Sequence, residues 1–155
     1  LDALGMVNGM THMEWFRRQD GSIAISEVAA RPPGAQFTSL ISYAHDTDFY
    51  RVWAEASVFG RFQAPERKYS TGAAYLRGQS GSGARGGRVG RVPGLEKIRA
   101  ELGDLVVEAQ IPKPGQPRSS SYEGEGYVIL RHPDTEVVRR GLKFVVETLR
   151  VELDD

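Results

Sequence analysis

A turn sequence between two strand-like runs constrains the fold of this chain more than any other feature. Residues 11–18 and 23–28 are rich in β-branched and aromatic side chains, and Asp20-Gly21 lies between them. An Asp-Gly pair in this setting is the strongest local signal for a β-hairpin. We therefore predict two antiparallel strands joined at Asp20 and Gly21.

The predicted register brings two carboxylates together. If Asp20 and Gly21 are the two central residues of the turn, Glu14 lies opposite Glu27, with Cβ atoms roughly 4.5–5.5 Å apart. The same register places apolar residues beside them, in the pairs Phe16 with Ile25 and Arg18 with Ile23. Directly opposed like charges destabilise a hairpin, so we expect a compensating group.

Three explanations for the paired carboxylates stay open. A hard divalent cation such as Mg²⁺, bound also by substrate phosphates, would turn the repulsion into a binding site. Alternatively, both carboxylates face water, or Arg18 or Arg31 neutralises them. A glycosidase-like acid–base pair is the third explanation, although nothing else in the sequence indicates sugar chemistry.

Two further side chains fall on the same face by the two-residue period of a strand. Arg31 projects to the side of Glu27, where its planar guanidinium could bind phosphates or pair with that carboxylate. His12 projects beside Glu14 and is a weaker catalytic candidate, with a packed structural histidine as the alternative.

The hairpin and the segment after it resemble the distal metal-binding part of the ATP-grasp superfamily. The matching segments are residues 9–16 (GMTHMEWF), Asp20-Gly21 and residues 25–34 (ISEVAARPPG). The resemblance implies that Glu14 and Glu27 hold the Mg²⁺, or Mn²⁺, that bridges the phosphates of ATP. It also implies that Arg31 stabilises the acyl-phosphate and tetrahedral intermediates, with the backbone of Gly34 beside the same group.

One position departs from the superfamily pattern. Many members carry asparagine two residues after the second Glu as a further metal ligand, whereas this chain has Ala29. The Glu-x-Ala-Ala-Arg sequence is similar to the branch of L-amino-acid ligases and related carboxylate–amine ligases. This similarity implies an enzyme that uses ATP to join a small-molecule carboxylate to an amine. The alternatives are a carbamoyl-phosphate-synthetase-like or purine-biosynthetic enzyme, and a non-catalytic binding or assembly module.

The rest of the pattern predicts an α+β chain in two parts. We expect residues 1–62 to form the distal part of an ATP-grasp domain, an antiparallel hairpin plus two helices, the second starting at Asp48 and ending at Gly60. Residues 63–155 are expected to form a small mixed α/β lobe, with a last helix that includes Pro133 in its first turn. This part is similar to the C-terminal lobe of biotin-carboxylase-like members.

The first residues predict that more protein lies upstream. Residues 1–4 have the pattern of a final helical turn, and Gly5 has that of its left-handed stop. We therefore expect a C-terminal portion that is inactive without its N-terminal domains.

Composition excludes several classes of function. Twenty basic and twenty acidic residues cancel, and there is no cysteine. Disulfides, thiolate metal sites and cysteine nucleophiles are thus excluded, and no net charge attracts nucleic acid or anionic lipid. No apolar run approaches the ~20 residues of a membrane span. We expect a cytoplasmic protein, with a homodimer as one allowed state.

Two glycine- and arginine-rich signals are discounted. Residues 81–86 (GSGARG) fit the expression G-x-G-x-x-G, but the following residues 88–92 predict a strand rather than the helix that a pyrophosphate needs. We interpret them as a hairpin loop. The basic residues between 77 and 99 have no interleaved aromatic residue for stacking on bases, so nucleic acid is not an expected partner.

Overall fold

A computed structural model describes residue 3 and residues 5–79 and 87–154 of the chain. The chain folds into two compact units, Leu1–Glu66 and Arg67–Asp155. The predicted final helical turn at residues 1–4 falls almost wholly outside the described residues. Gly5 has the left-handed backbone expected of it, with a φ of +71°.

In the part that the structure describes, the first unit contains the predicted hairpin followed by two α-helices. Its elements are β1 (His12–Arg17), β2 (Ile23–Ala29), α1 (Phe37–His45) and α2 (Phe49–Phe59). The β2 strand ends before Pro32 and Pro33, which have no N–H group for a ladder hydrogen bond. The order of elements predicted for this unit is confirmed.

The ends of α2 follow from its capping residues. The side chain of Asp48 accepts hydrogen bonds from the backbone N–H groups of Tyr50 and Arg51, at 3.0 and 3.2 Å. These are two of the N–H groups that a helix leaves unpaired at its start. Gly60 ends the helix with a φ of +63°, a conformation that costs glycine little because it lacks a Cβ atom.

Among its described residues, the second unit contains two three-stranded sheets, two α-helices and a 3-10 helix at Gly103–Leu105. Its elements are β3 (Ser70–Leu76), β4 (Gly78–Gln79), β5 (Arg88–Arg91), α3 (Leu95–Leu102), β6 (Val106–Gln110), β7 (Gly126–His132), α4 (Thr135–Thr148) and β8 (Val151–Asp154). One sheet has the order β3-β7-β6 and is antiparallel. The other has the order β4-β8-β5, in which β4 runs parallel to β8.

The core of the second unit lies between α4 and the sheet that contains β7. Leu130 of β7 and Val145 of α4 belong to this core and have no exposed surface. Gly72 allows a close approach, because a Cβ atom there would lie 2.5 Å from Leu142 Cδ1. Helix and sheet therefore pack closely enough to exclude water from the centre of this unit.

A buried carboxylate organises the loop before β7. Glu125 is 3% exposed, and it accepts hydrogen bonds from the backbone N–H groups of Gly78 and Ser119. Both contacts satisfy the charge within the fold, as burial requires. Glu125 is thus a structural residue of the second unit.

One detail differs from the sequence predictions. Pro133 lies outside α4, because Asp134 is the N-terminal cap and accepts a hydrogen bond from the Glu136 N–H. Residues 81–86, with the discounted glycine pattern, lie outside the described residues, and the strand predicted after them is confirmed as β5.

Several cations of the predicted basic cluster contact groups of the same unit. Arg77 donates to the carbonyl of Ser121, and Arg88 donates to that of Gly115. Arg91 pairs with Glu152, and this hydrogen bond raises the pKa of the arginine above its ordinary value. Among the described residues, no helix has both the length and the apolar character that a bilayer crossing needs.

Candidate metal and phosphate site

The hairpin closes through a loop one residue longer than predicted. The Gly21 N–H donates to the carbonyl of Arg18 at 3.0 Å, and the Arg18 N–H donates to the carbonyl of Ser22 at 2.8 Å. Gly21 has a φ of +83°. This is the three-residue hairpin loop in which a left-handed residue follows a turn. The prediction that Asp20 and Gly21 are the two central residues is therefore wrong.

A side chain within the loop reinforces it. Asp20 Oδ1 accepts hydrogen bonds from the Ser22 hydroxyl at 2.7 Å and from the Ser22 N–H at 2.9 Å. Both bonds stabilise the charged carboxylate, so they lower the pKa of Asp20 below its ordinary value. The charged carboxylate of Asp20 thus stabilises the loop that connects the two strands.

The longer loop changes the register nearest the turn. Phe16 pairs with Ala24, and Arg17 pairs with Ile23. The predicted pairs Phe16 with Ile25 and Arg18 with Ile23 are therefore wrong, because each assumed the shorter turn. Ile25 instead pairs with Trp15.

A β-bulge at Ser26 restores the predicted pairing of the two carboxylates. Trp15 pairs with Ile25 and Glu14 pairs with Glu27, so Ser26 is the extra residue on β2. A bulge bends its strand and redirects the neighbouring side chains. The opposition of Glu14 and Glu27 is confirmed, although it depends on a bulge that sequence reasoning missed. Ser26 is neither glycine nor proline, so its residue type does not indicate a bulge.

Three potential ligand groups converge on this part of the hairpin. His12, Glu14 and Glu27 each place one ligand atom within 4.8 Å of the others. His12 Nε2 lies 3.3 Å from Glu27 Oε1, and the His12 side chain is only 13% exposed. Glu14 is exposed. The structure therefore brings together His12, Glu14 and Glu27, which the strand period placed on one face.

Arg31 completes the cluster from beyond the end of β2. Its Nη2 atom lies 2.9 Å from Glu27 Oε1, and its Nη1 atom donates to the carbonyl of Pro32 at 3.1 Å. The Arg31 side chain is 54% exposed. Arg18 does not contact either carboxylate; it donates to the Ser22 hydroxyl instead. Of the two arginines considered as neutralising partners, Arg31 is the one that pairs with a carboxylate, that of Glu27.

Gly34 lies in the turn between the hairpin and α1. Its carbonyl accepts a hydrogen bond from the Phe37 N–H at 3.5 Å. The next residue, Ala35, has a φ of +52°, which is uncommon for a residue with a side chain. The turn thus fixes the backbone near Gly34 by local contacts.

The donor set suits a divalent cation. Carboxylate oxygens are ligands of both Mg²⁺ and Mn²⁺, and the opposed negative charges of Glu14 and Glu27 favour a cation between them, whereas the nearby imidazole suits a transition ion. One potential ligand atom from each of His12, Glu14 and Glu27 lies within 4.8 Å of the other two. The residues present therefore fit a single divalent cation.

Solved structures of three ATP-grasp enzymes share this fold. The L-amino acid ligase of Bacillus licheniformis has a TM-score of 0.74 and 17% identity, covering 99% of this chain and 40% of its own. N5-carboxyaminoimidazole ribonucleotide synthetase of Thermotoga maritima has a TM-score of 0.63 and 20% sequence identity. The match covers 95% of this chain and 38% of the synthetase. Phosphoribosylglycinamide synthetase of Anaerococcus prevotii has a TM-score of 0.68 and 13% sequence identity. The match covers 99% of this chain and 39% of that synthetase.

These likenesses concern the fold. No protein-family model matches the chain, and no curated protein matches it significantly. The chain spans about two fifths of the length of each solved structure. The predicted fold is confirmed: the chain is a mixed α/β structure that matches the C-terminal part of ATP-grasp domains.

Proposed function

We propose that this chain supplies the metal- and phosphate-binding hairpin of an ATP-dependent carboxylate–amine ligase. The observation that carries the proposal is the opposition of Glu14 and Glu27, with Arg31 bound to the second carboxylate. In this reaction a substrate carboxylate oxygen attacks the γ-phosphorus of ATP, and ADP leaves. An amine then attacks the acyl phosphate, and phosphate leaves.

The two carboxylates are the proposed cation ligands. Glu14 and Glu27 come from neighbouring strands, so the hairpin ladder fixes the distance between them. Glu14 and Glu27 would hold a divalent cation, which would supply charge neutralisation at phosphate oxygens. Positioning and charge neutralisation are the main contributions that a protein makes to phosphoryl transfer, and rigid strands provide them well.

Arg31 is the proposed phosphate-binding residue. Its guanidinium is half exposed and adjoins the cation ligand Glu27. A planar guanidinium can donate two parallel hydrogen bonds to phosphate oxygens or to the oxygen of an acyl intermediate. Its ion pair with Glu27 keeps it near the reacting groups, and we assign the backbone of Gly34 a supporting role beside it.

The substrate class follows from the similarity to carboxylate–amine ligases. We propose a small-molecule carboxylate and an amine as substrates, Mg²⁺ or Mn²⁺ with ATP as cofactors, and the cytoplasm as the location. Domains beyond this chain would supply the adenine pocket. A purine-biosynthetic ligase is a second candidate, because two of the solved structures with this fold are synthetases of ribonucleotides or phosphoribosyl compounds.

The test is ADP release by the full-length protein over a panel of carboxylates and amines. We expect release that needs one carboxylate, one amine and a divalent cation. The variants Glu27→Gln and Arg31→Ala should each lower the rate by about 100-fold, the scale of losing a group that stabilises transition-state charge.

Helix α2 offers matched controls for both variants. Arg51 and Glu55 form another exposed arginine–glutamate pair four residues apart, also at 2.9 Å. Arg51→Ala and Glu55→Gln should leave the rate unchanged. If Glu27→Gln and Arg31→Ala behave like these controls, the cluster is structural and the assembly-module alternative gains support.

A further inference from the structure

The position of His12 in the hairpin differs from that of an ordinary packed histidine. His12 is the direct cross-strand partner of Ala29. Its Nε2 atom lies 3.3 Å from Oε1 of Glu27, two residues before Ala29 on the same strand. A methyl group at position 29 offers no ligand atom, so the imidazole is the donor that the ladder places opposite it.

We propose, building on the proposed function, that His12 Nε2 is the third protein ligand of the cation held by Glu14 and Glu27. The resulting ligand set contains one nitrogen and two carboxylates. It therefore favours Mn²⁺ over Mg²⁺.

The geometry requires only small side-chain adjustments. The three potential ligand atoms all lie within 4.8 Å of one another. Bonds of about 2.1 Å around an octahedral ion place its ligand atoms about 3–4 Å apart. Since both strands are paired at these residues, the side chains can close on an ion without backbone movement.

The tautomer of His12 decides which ring nitrogen offers a lone pair. Its Nδ1 atom has no partner among the described residues, so no second hydrogen bond fixes which ring nitrogen carries the proton. With the proton on Nδ1, Nε2 presents its lone pair toward the space beside Glu27. Without a cation, the same nitrogen can donate to Glu27 instead.

The contacts of Glu27 are compatible with this arrangement. His12 and Arg31 both contact the same carboxylate oxygen, Oε1. A cation that binds between Glu27 and His12 replaces their contact, while Arg31 is exposed enough to turn toward a phosphate. Ligand replacement therefore leaves no buried charge unpaired.

The preference for Mn²⁺ follows from the ligand types. Mg²⁺ is a hard ion that binds oxygen and releases its water ligands reluctantly. First-row transition ions accept imidazole nitrogen more readily. Loss of the imidazole should therefore weaken Mn²⁺ binding more than Mg²⁺ binding.

The test is binding of Mn²⁺ alone to the purified chain, followed by electron paramagnetic resonance. We expect ¹⁴N modulation from a directly bound nitrogen in the pulsed spectrum. His12→Ala should abolish that modulation and weaken Mn²⁺ binding about tenfold, with a change of less than about threefold for competing Mg²⁺. His12→Gln, which keeps side-chain length and offers an amide oxygen, should also lose the modulation.

Control variants separate this proposal from the proposed function. His132→Ala should change nothing, because His132 lies in the second unit and accepts a hydrogen bond from the Asp134 N–H. If Glu27→Gln abolishes Mn²⁺ binding while His12→Ala keeps both affinity and modulation, the role of His12 is overturned alone. If Glu14→Gln and Glu27→Gln leave Mn²⁺ binding unchanged, the cation site and the proposed function both fail.

Discussion

Arg31 and His12 are both neighbours of Glu27. The small contribution of such contacts to stability bears on the role of Arg31. Both residues contact Oε1 of Glu27, but the Glu27 side chain is 42% exposed and that of Arg31 is 54% exposed. An ion pair this exposed contributes only about 0–1 kcal/mol to stability. Stability is therefore a weak reason for placing Arg31 at this position, and phosphate binding explains its exposure better.

The residue that closes the hairpin provides a pH-dependent prediction. The Ser22 hydroxyl and N–H lower the pKa of Asp20. Because the folded pKa lies below the unfolded one, this contribution to stability is present above the unfolded pKa and is lost as pH falls through the folded pKa. An NMR titration of the Asp20 carboxyl group should show a pKa below its ordinary value.

The matching variants test the cause of that shift. Ser22→Ala removes the hydroxyl hydrogen bond, so the pKa of Asp20 should rise toward its ordinary value. Ser57→Ala, on α2 of the same unit, should leave it unchanged. An unshifted Asp20, or an equal response to both variants, contradicts the hydrogen-bonded loop.

At the scale of elements, the strands of the hairpin were predictable from the sequence, whereas its turn length and its bulge were not. Period-two alternation and the Asp-Gly signal were enough to predict two strands and a pairing of Glu14 with Glu27. The turn length was wrong by one residue, and the bulge at Ser26 compensates for it. A bulge depends on cross-strand packing rather than on the residue's own propensity, so the local pattern did not reveal it.

Helix boundaries were predictable for a different reason. Asp48 and Gly60 act through hydrogen bonds and backbone angles within one turn of the chain, so local sequence determines them. The parallel pair of β4 with β8 joins residues 78–79 to 151–152. No local signal specifies a pairing over that separation.

The loop of the hairpin gives a stability prediction. Gly21 has a φ of +83°, and a Cβ atom there would meet nothing within 4 Å. Gly21→Ala should therefore lower the free energy of unfolding of the first unit by about 1–2 kcal/mol, through backbone conformation alone. Gly21→Asn should cost less, because asparagine tolerates the left-handed region.

Tryptophan fluorescence during urea unfolding measures this effect. The two tryptophans, Trp15 and Trp53, both lie in the first unit. Their emission therefore reports the unit that contains the hairpin. Equal destabilisation by alanine and asparagine would show that Gly21 is not held in a left-handed conformation.

At the scale of the whole molecule, the fold and the candidate site carry different kinds of support. Nearly the whole chain superimposes on solved ATP-grasp enzymes, at 13–20% identity. Such a likeness supports the fold alone, whereas the proposed function rests on three side chains, those of Glu14 and Glu27 in the hairpin and of Arg31 just after it. Composition and periodicity predicted an α+β chain, but the choice of ligase chemistry came from the resemblance around Glu14, Glu27 and Arg31.

The central claim is that this hairpin serves the transfer of phosphate from ATP to a carboxylate. The most direct measurement uses the full-length protein with a carboxylate substrate that carries ¹⁸O in its carboxyl group, identified from the ADP-release panel. After turnover with an amine, the released phosphate is analysed by mass spectrometry. Acyl phosphate formation joins a carboxylate oxygen to phosphorus, so one ¹⁸O atom should appear in each phosphate. Label in AMP, or none in either phosphate or AMP, would contradict the account.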